Sequence, residues 1–148
     1  MRLSIHSPLF YIPIHGADPF NYRERSDDAS GGERIFCFEL DESEREKFEP
    51  DITKFLRNLI FTGKAAVKTA KNTVDEEMEA SEELLVLPRG DYLFAQKREI
   101  LNRDDILAMA AEIQQEGLWQ RLRIGKRLYL RYLFEDGCVA TQIFMPYA

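Results

Sequence analysis

The stretch "LRYLFEDGCVATQIFM", Leu130 to Met145, decides how this chain is read. Asp136-Gly137 is the dipeptide that a two-residue type I′ turn favours, because both central residues take positive φ. Folding about it sets Tyr129 opposite Phe144, Arg131 opposite Gln142 and Leu133 opposite Ala140. Side chains alternate along a strand, so Leu128, Leu130, Tyr132 and Phe134 share a face with Val139, Thr141, Ile143 and Met145. That face reads as core. The other sets Tyr129, Arg131, Leu133 and Glu135 against Cys138, Ala140, Gln142 and Phe144. A few polar groups among apolar walls is how small-molecule pockets are lined. The same pattern also fits a half-solvated face on which Arg131 and Gln142 form a surface cross-strand pair.

Before this hairpin, Asn102 is placed to cap a helix starting at Arg103, with Ile106, Met109, Ala110 and Ile113 as its buried stripe and Gly117 as its stop. "RLRIGKR", Arg121 to Arg127, is a basic turn between helix and strand. "ELLVLPRGDYLFAQKRE" predicts a hairpin turning at Pro88-Arg89-Gly90-Asp91. In the amino half, Asp51 caps a helix carrying Ile52, Phe55, Leu56, Leu59 and Ile60 at helical spacing, ended by Gly63. "RIFCFEL" is a strand, and Leu3 to Ile14 is a strand that Pro8 and Pro13 bend or confine to an edge.

Residues 16–33 form a long turn-rich loop. Residues 64–83 run from lysines to acids, the reverse of what a helix macrodipole favours, and read as a charged connector, either weakly ordered or an exposed helix. The expectation is one domain, 1–148, of the α+β class. Its order is ββα-ββαββ, an antiparallel sheet with two amphipathic helices packed on one face.

A chain of 148 residues can bury a sizeable core. Its net charge of −6 opposes nucleic acid as a partner. No apolar run approaches a membrane span, and prolines and histidines break the amino-terminal stretch as a secretory signal. Cys37 and Cys138 have no metal or CxxC spacing, so a reduced, cytoplasmic protein is expected. Nucleophile-elbow, phosphate-loop, dinucleotide and zinc-protease motifs are all missing. His6 and His15 stand without a neighbouring nucleophile or carboxylate motif, and the acidic runs lack the spacing of a calcium loop. No catalytic residue, metal or cofactor is expected.

"LPRGDYLFAQ", the helix from Arg103 to Glu116, "LYLRYLFEDG" and "TQIFMPY" together resemble the GyrI-like effector-binding (SHS2-module) domains. The resemblance covers residues 83–147 and rests on Pro88, Gly90 and Tyr92 and on Met145-Pro146. It implies two βαββ-type modules about a pseudo-twofold axis, with a groove for apolar or cationic small molecules. The long first loop and the charged connector depart from that pattern. Glu135 is nearest to the family's acidic groove residue, although it sits beside the turn.

The function expected is non-catalytic binding of an apolar small molecule by a stand-alone GyrI-like domain. Trp119, Tyr129, Arg131, Glu135, Gln142 and Phe144 are the expected binding residues. The alternatives are a protein-interaction or dimerisation module without ligand, such as a homodimer, and a small hydrolase using a groove carboxylate. Neither nucleic acid nor a membrane is an expected partner.

Overall fold

The computed structural model describes residues 1–14, 20, 32–39, 66–70, 85–125, 127–135 and 137–148, with backbone alone at 12–14, 32, 39, 66–70 and 135. Among them, strands β1 (Arg2–Ile5), β2 (Leu9–Ile14), β3 (Gly32–Glu39), β4 (Ala66–Ala70), β5 (Leu85–Leu87) and β6 (Gly90–Lys97) precede helix α1 (Arg103–Trp119). Strands β7 (Arg127–Glu135) and β8 (Cys138–Pro146) follow it. Among the described residues the result is a mostly antiparallel sheet with one helix, the strands ordered β1-β6-β8-β7-β3-β4-β2-β5.

The two ends of that order are joined through the chain. β1 pairs β6 from Arg2↔Leu93 to Ile5↔Gly90, and β2 pairs β5 from Leu9↔Leu87 to Tyr11↔Leu85. These are two halves of one antiparallel ladder, shifted by a single residue where both strands bend. Because β2 also pairs β4 through Ile12↔Thr69 and Ile14↔Val67, the sheet curls back on itself. Closure of this kind leaves few strand edges unpaired.

The hairpin expected around Pro88 is therefore a bend instead. β5 and β6 find separate partners in β2 and β1, and Gly90 takes a φ of 155° that favours glycine. The Tyr92 hydroxyl donates to the Pro88 carbonyl and ties the bend together. Pro8 has the bending role expected of it, lying in the break between β1 and β2. Residues 66–70, read as part of a charged connector, are strand β4, paired with both β2 and β3. Long-range pairing decides there, and local charge order does not. The helix expected at 51–63 and the loop at 16–33 lie outside the described residues, save Phe20 and the start of β3.

The β7–β8 hairpin has the register that an Asp-Gly turn dictates, Tyr129↔Phe144 and Arg131↔Gln142 included, and Gly137 takes a positive φ of 75°. Its apolar face meets α1. Ile106, Met109, Ala110 and Ile113 pack with Leu93, Leu128, Leu130, Tyr132, Ile143 and Met145, all buried. Asn102 caps the helix as its sequence suggests, its side-chain oxygen accepting from the Asp105 amide at 2.8 Å.

The helix does not stop at Gly117. A Cβ there would lie 2.5 Å from Leu93 Cδ1 and 2.9 Å from Ile124 Cδ1, so Gly117 serves close packing of helix on sheet. The end comes later. The amide of Arg121 reaches the Leu118 carbonyl at 3.1 Å, and that of Leu122 reaches Gly117 at 3.0 Å. This is a Schellman cap with Arg121 at φ 57°, the left-handed position where glycine is usual. Gly117→Ala should cost about 1 kcal/mol, overpacking against Leu93 and Ile124 being partly offset by alanine's better helix propensity. Arg121→Gly should instead stabilise by about 1 kcal/mol or less, the relieved strain being partly offset by unfolded-chain entropy. Urea denaturation of the two variants checks both signs.

Candidate functional site

The concave face of the curled sheet carries a second apolar cluster of Tyr11, Ile35, Cys37, Leu87, Tyr92, Tyr129 and Phe144, all buried. Aromatic edges meet faces within it. Tyr92 stands edge-on to Tyr129 at 6.4 Å and to Phe144 at 5.9 Å between ring centres. Arg131 projects onto this same face because it alternates with Leu130 and Tyr132, whose side chains face the helix.

A guanidinium in such surroundings must be partnered. Arg131 Nε donates to Gln142 Oε1 at 2.7 Å, and one terminal nitrogen donates to the Tyr11 hydroxyl at 3.2 Å. The Tyr11 hydroxyl in turn donates to Glu33 Oε2 at 3.1 Å. Since the Gln142 oxygen serves Arg131, its amide nitrogen is left to donate, and it does so to Gln96 Oε1. The guanidinium carbon lies 4.8 Å from the centre of the Phe144 ring, within cation–π range. The outcome is one polar chain, Glu33–Tyr11–Arg131–Gln142–Gln96, drawn from β3, β2, β7, β8 and β6.

Tyr11 and Arg131 meet only because the sheet curls. β4 and β3 separate their strands, which in a flat sheet would put the backbones about 14 Å apart. The chain runs from buried to open. Gln142 is 5% exposed, the Arg131 side chain 13% and the Glu33 side chain 25%, and Gln96 is exposed. Glu33 Oε2 stands 4.0 Å from the guanidinium, an ion pair beyond hydrogen-bonding distance.

Burial pushes the Tyr11 phenol up to about 12. The Arg131 charge opposes this shift and the Glu33 carboxylate adds to it. Tyr92 and Tyr129 are also raised, chiefly by burial.

Of the residues expected to form a site, Tyr129, Arg131, Gln142 and Phe144 come together here. Trp119 does not; it ends α1 with 84% of its surface exposed. Glu135 pairs with Cys138 at the close of the hairpin, and its side chain lies outside the described residues. Tyr11, Glu33 and Gln96 belong to the cluster although local sequence did not nominate them. For Gln96 a signal existed, since alternation along "DYLFAQ" sets Tyr92, Phe94 and Gln96 on one face. His6 is exposed at the β1–β2 bend, and His15 lies outside the described residues. Among the described residues no group of His, Cys, Asp and Glu could hold a metal ion, and no helix is long and apolar enough to cross a membrane.

No protein-family model matches the chain, and no curated protein or solved structure matches it significantly.

The raised phenols carry a pH dependence with a definite sign. A folded-state value above the unfolded value of about 10 means that the native state holds its proton longer than the unfolded chain does. The stabilisation is thus complete below pH 10 and is lost as pH climbs toward 12 for Tyr11. Ultraviolet titration should show part of the phenolic absorbance of the six tyrosines rising late. Tyr11→Phe should remove one of the late steps.

Proposed function

We propose that this chain is a small non-catalytic binding domain whose concave sheet face takes a small molecule with an apolar body and a carboxylate or carbonyl group. A single observation carries the reading. Arg131 is nearly buried against the Phe144 ring, yet among the described residues its nearest acid, Glu33, stands 4.0 Å away and a quarter exposed. A guanidinium presents planar donors matched to a carboxylate, and charge-assisted bonds of that kind are the strong ones. Glu33 half-fills the position that a ligand carboxylate would take. Tyr11, Gln142 and Gln96 offer further donors and acceptors, and Phe94, partly exposed over the buried Phe144 and Tyr129, offers apolar surface. Mouths of curled sheets are common places for such sites.

Catalysis has less support, since no nucleophile or acid–base pair stands beside Glu33 among the described residues. The proposal includes the GyrI-like resemblance of residues 83–147 and the second amphipathic helix at 51–63, supported by the spacing of Ile52, Phe55, Leu56, Leu59 and Ile60. It also includes a reducing, cytoplasmic setting, supported by the free thiols of Cys37 and Cys138.

The test is a thermal-shift series with octanoate and 4-phenylbutyrate on wild type, Arg131→Met and Glu33→Gln. The carboxylates should raise the wild-type midpoint, raise that of Glu33→Gln further, and leave that of Arg131→Met unmoved. Equal shifts in all three, or none in wild type and Glu33→Gln, contradict the reading.

A further inference from the structure

The carboxyl-terminal end of α1 carries a surface that is both apolar and basic. Trp119, the single tryptophan, is 84% exposed, and Leu118 beside it is 41% exposed. Indole rings are rarely left this open, because burying one is worth several kcal/mol of apolar transfer and packing. Arg121 and Arg123 are exposed immediately beyond the helix end. Arg2 joins them from β1, with Nε donating to Gln120 Oε1 at 2.7 Å and the guanidinium 5.9 Å from the centre of the Tyr147 ring. The nearest acid in sequence, Glu116, is engaged by the Met1 amino group at 3.0 Å and by the Gln120 amide at 3.2 Å.

A second observation is independent of exposure. Arg121 occupies the left-handed position of the helix cap, at φ 57°, where glycine or asparagine sits without strain. A strained non-glycine residue at a surface position is a pointer to function, because the fold gains nothing from its side chain there.

We infer that Trp119, Leu118, Arg121, Arg123 and Arg2 form a docking surface for an acidic segment of a partner protein, with the indole as its apolar anchor. Tryptophan and arginine are the residues that dominate protein–protein hot spots, and guanidinium forks fit carboxylates. Charge complementarity selects among anionic partners. The overall charge of −6 repels a polyanion that carries charge along its whole length, which disfavours single-stranded nucleic acid. One tryptophan and one leucine offer too little apolar area to hold a bilayer surface. A short acidic segment meets the patch alone. This surface is separate from the concave face, so the inference stands whether or not that face binds a small molecule.

The single tryptophan makes the test site-specific. The full chain is titrated with one short synthetic peptide, about two repeats of Glu-Glu-Leu-Asp labelled with fluorescein and so no longer than the patch, while Trp119 emission and peptide anisotropy are both followed. Polyuridylate and phosphatidylserine-containing vesicles are run as parallel probes. The peptide should shift Trp119 emission to the blue and bind less tightly as salt rises. Trp119→Ala and Arg121→Gly should each weaken binding by about tenfold. For Arg121→Gly, a higher unfolding midpoint alongside weaker binding separates lost recognition from lost structure. Peptide binding unchanged in both variants overturns the inference. So does an absent response to the peptide, or a response to polyuridylate or vesicles at least as strong.

Discussion

The pairing of Arg131 with Tyr11 is the constraint on which the concave half of this structure depends. A guanidinium on an apolar sheet face is tolerable only when its donors are met, since an unpartnered buried charge is destabilising by several kcal/mol. Its cross-strand neighbour Gln142 meets one donor. The Tyr11 hydroxyl meets another, and it can do so only when β2 is carried around to face β7. The hydrogen bond therefore specifies curvature and register together. A one-residue slip of β2 would turn Tyr11 to the opposite face and leave both Arg131 and Glu33 short of a partner.

Two faces of one sheet thus differ in what they pack. The convex face is packed by α1, which approaches so closely that a Cβ at Gly117 would press on the Leu93 and Ile124 side-chain ends. The concave face joins an aromatic floor to a polar chain that grades from the buried Gln142 to the exposed Gln96. Replacing a buried polar chain by apolar side chains is often neutral or stabilising, so this one is weak evidence for stability and is compatible with the binding proposed for this face. The same reasoning applies at the far end of α1, where an arginine holds a position better suited to glycine.

Local sequence carried much of this. The Asp136-Gly137 turn set the β7–β8 register, and alternation then separated the helix-packed face from the face bearing Tyr129, Arg131, Gln142 and Phe144. Asn102 and the spacing of Ile106, Met109, Ala110 and Ile113 marked α1. What local sequence could not carry is pairing at long range. Pro88-Arg89-Gly90 suits a reversal as well as a bend, and only the partners β1 and β2 decide for the bend. β4 is hidden for the same reason, in a segment whose charges suggest no strand. Glu33 enters the site through the pairing of β3 with β7, two residues from Ile35 opposite Arg131, and Tyr11 enters through curvature, which has no signature in its sequence neighbours. Trp119 misled because an aromatic near a hairpin suggests a pocket wall, whereas its place at the helix end points it to solvent.

A double-mutant cycle between Tyr11→Phe and Arg131→Met tests the central claim most directly, with each variant and the pair unfolded in urea. Residues in one hydrogen-bonded network are coupled, whereas distant ones are additive. The curled sheet predicts a coupling energy of about 0.5–3 kcal/mol between these two positions. Additivity within about 0.3 kcal/mol would mean that β2 does not face β7, and that the polar chain across the concave face is not formed.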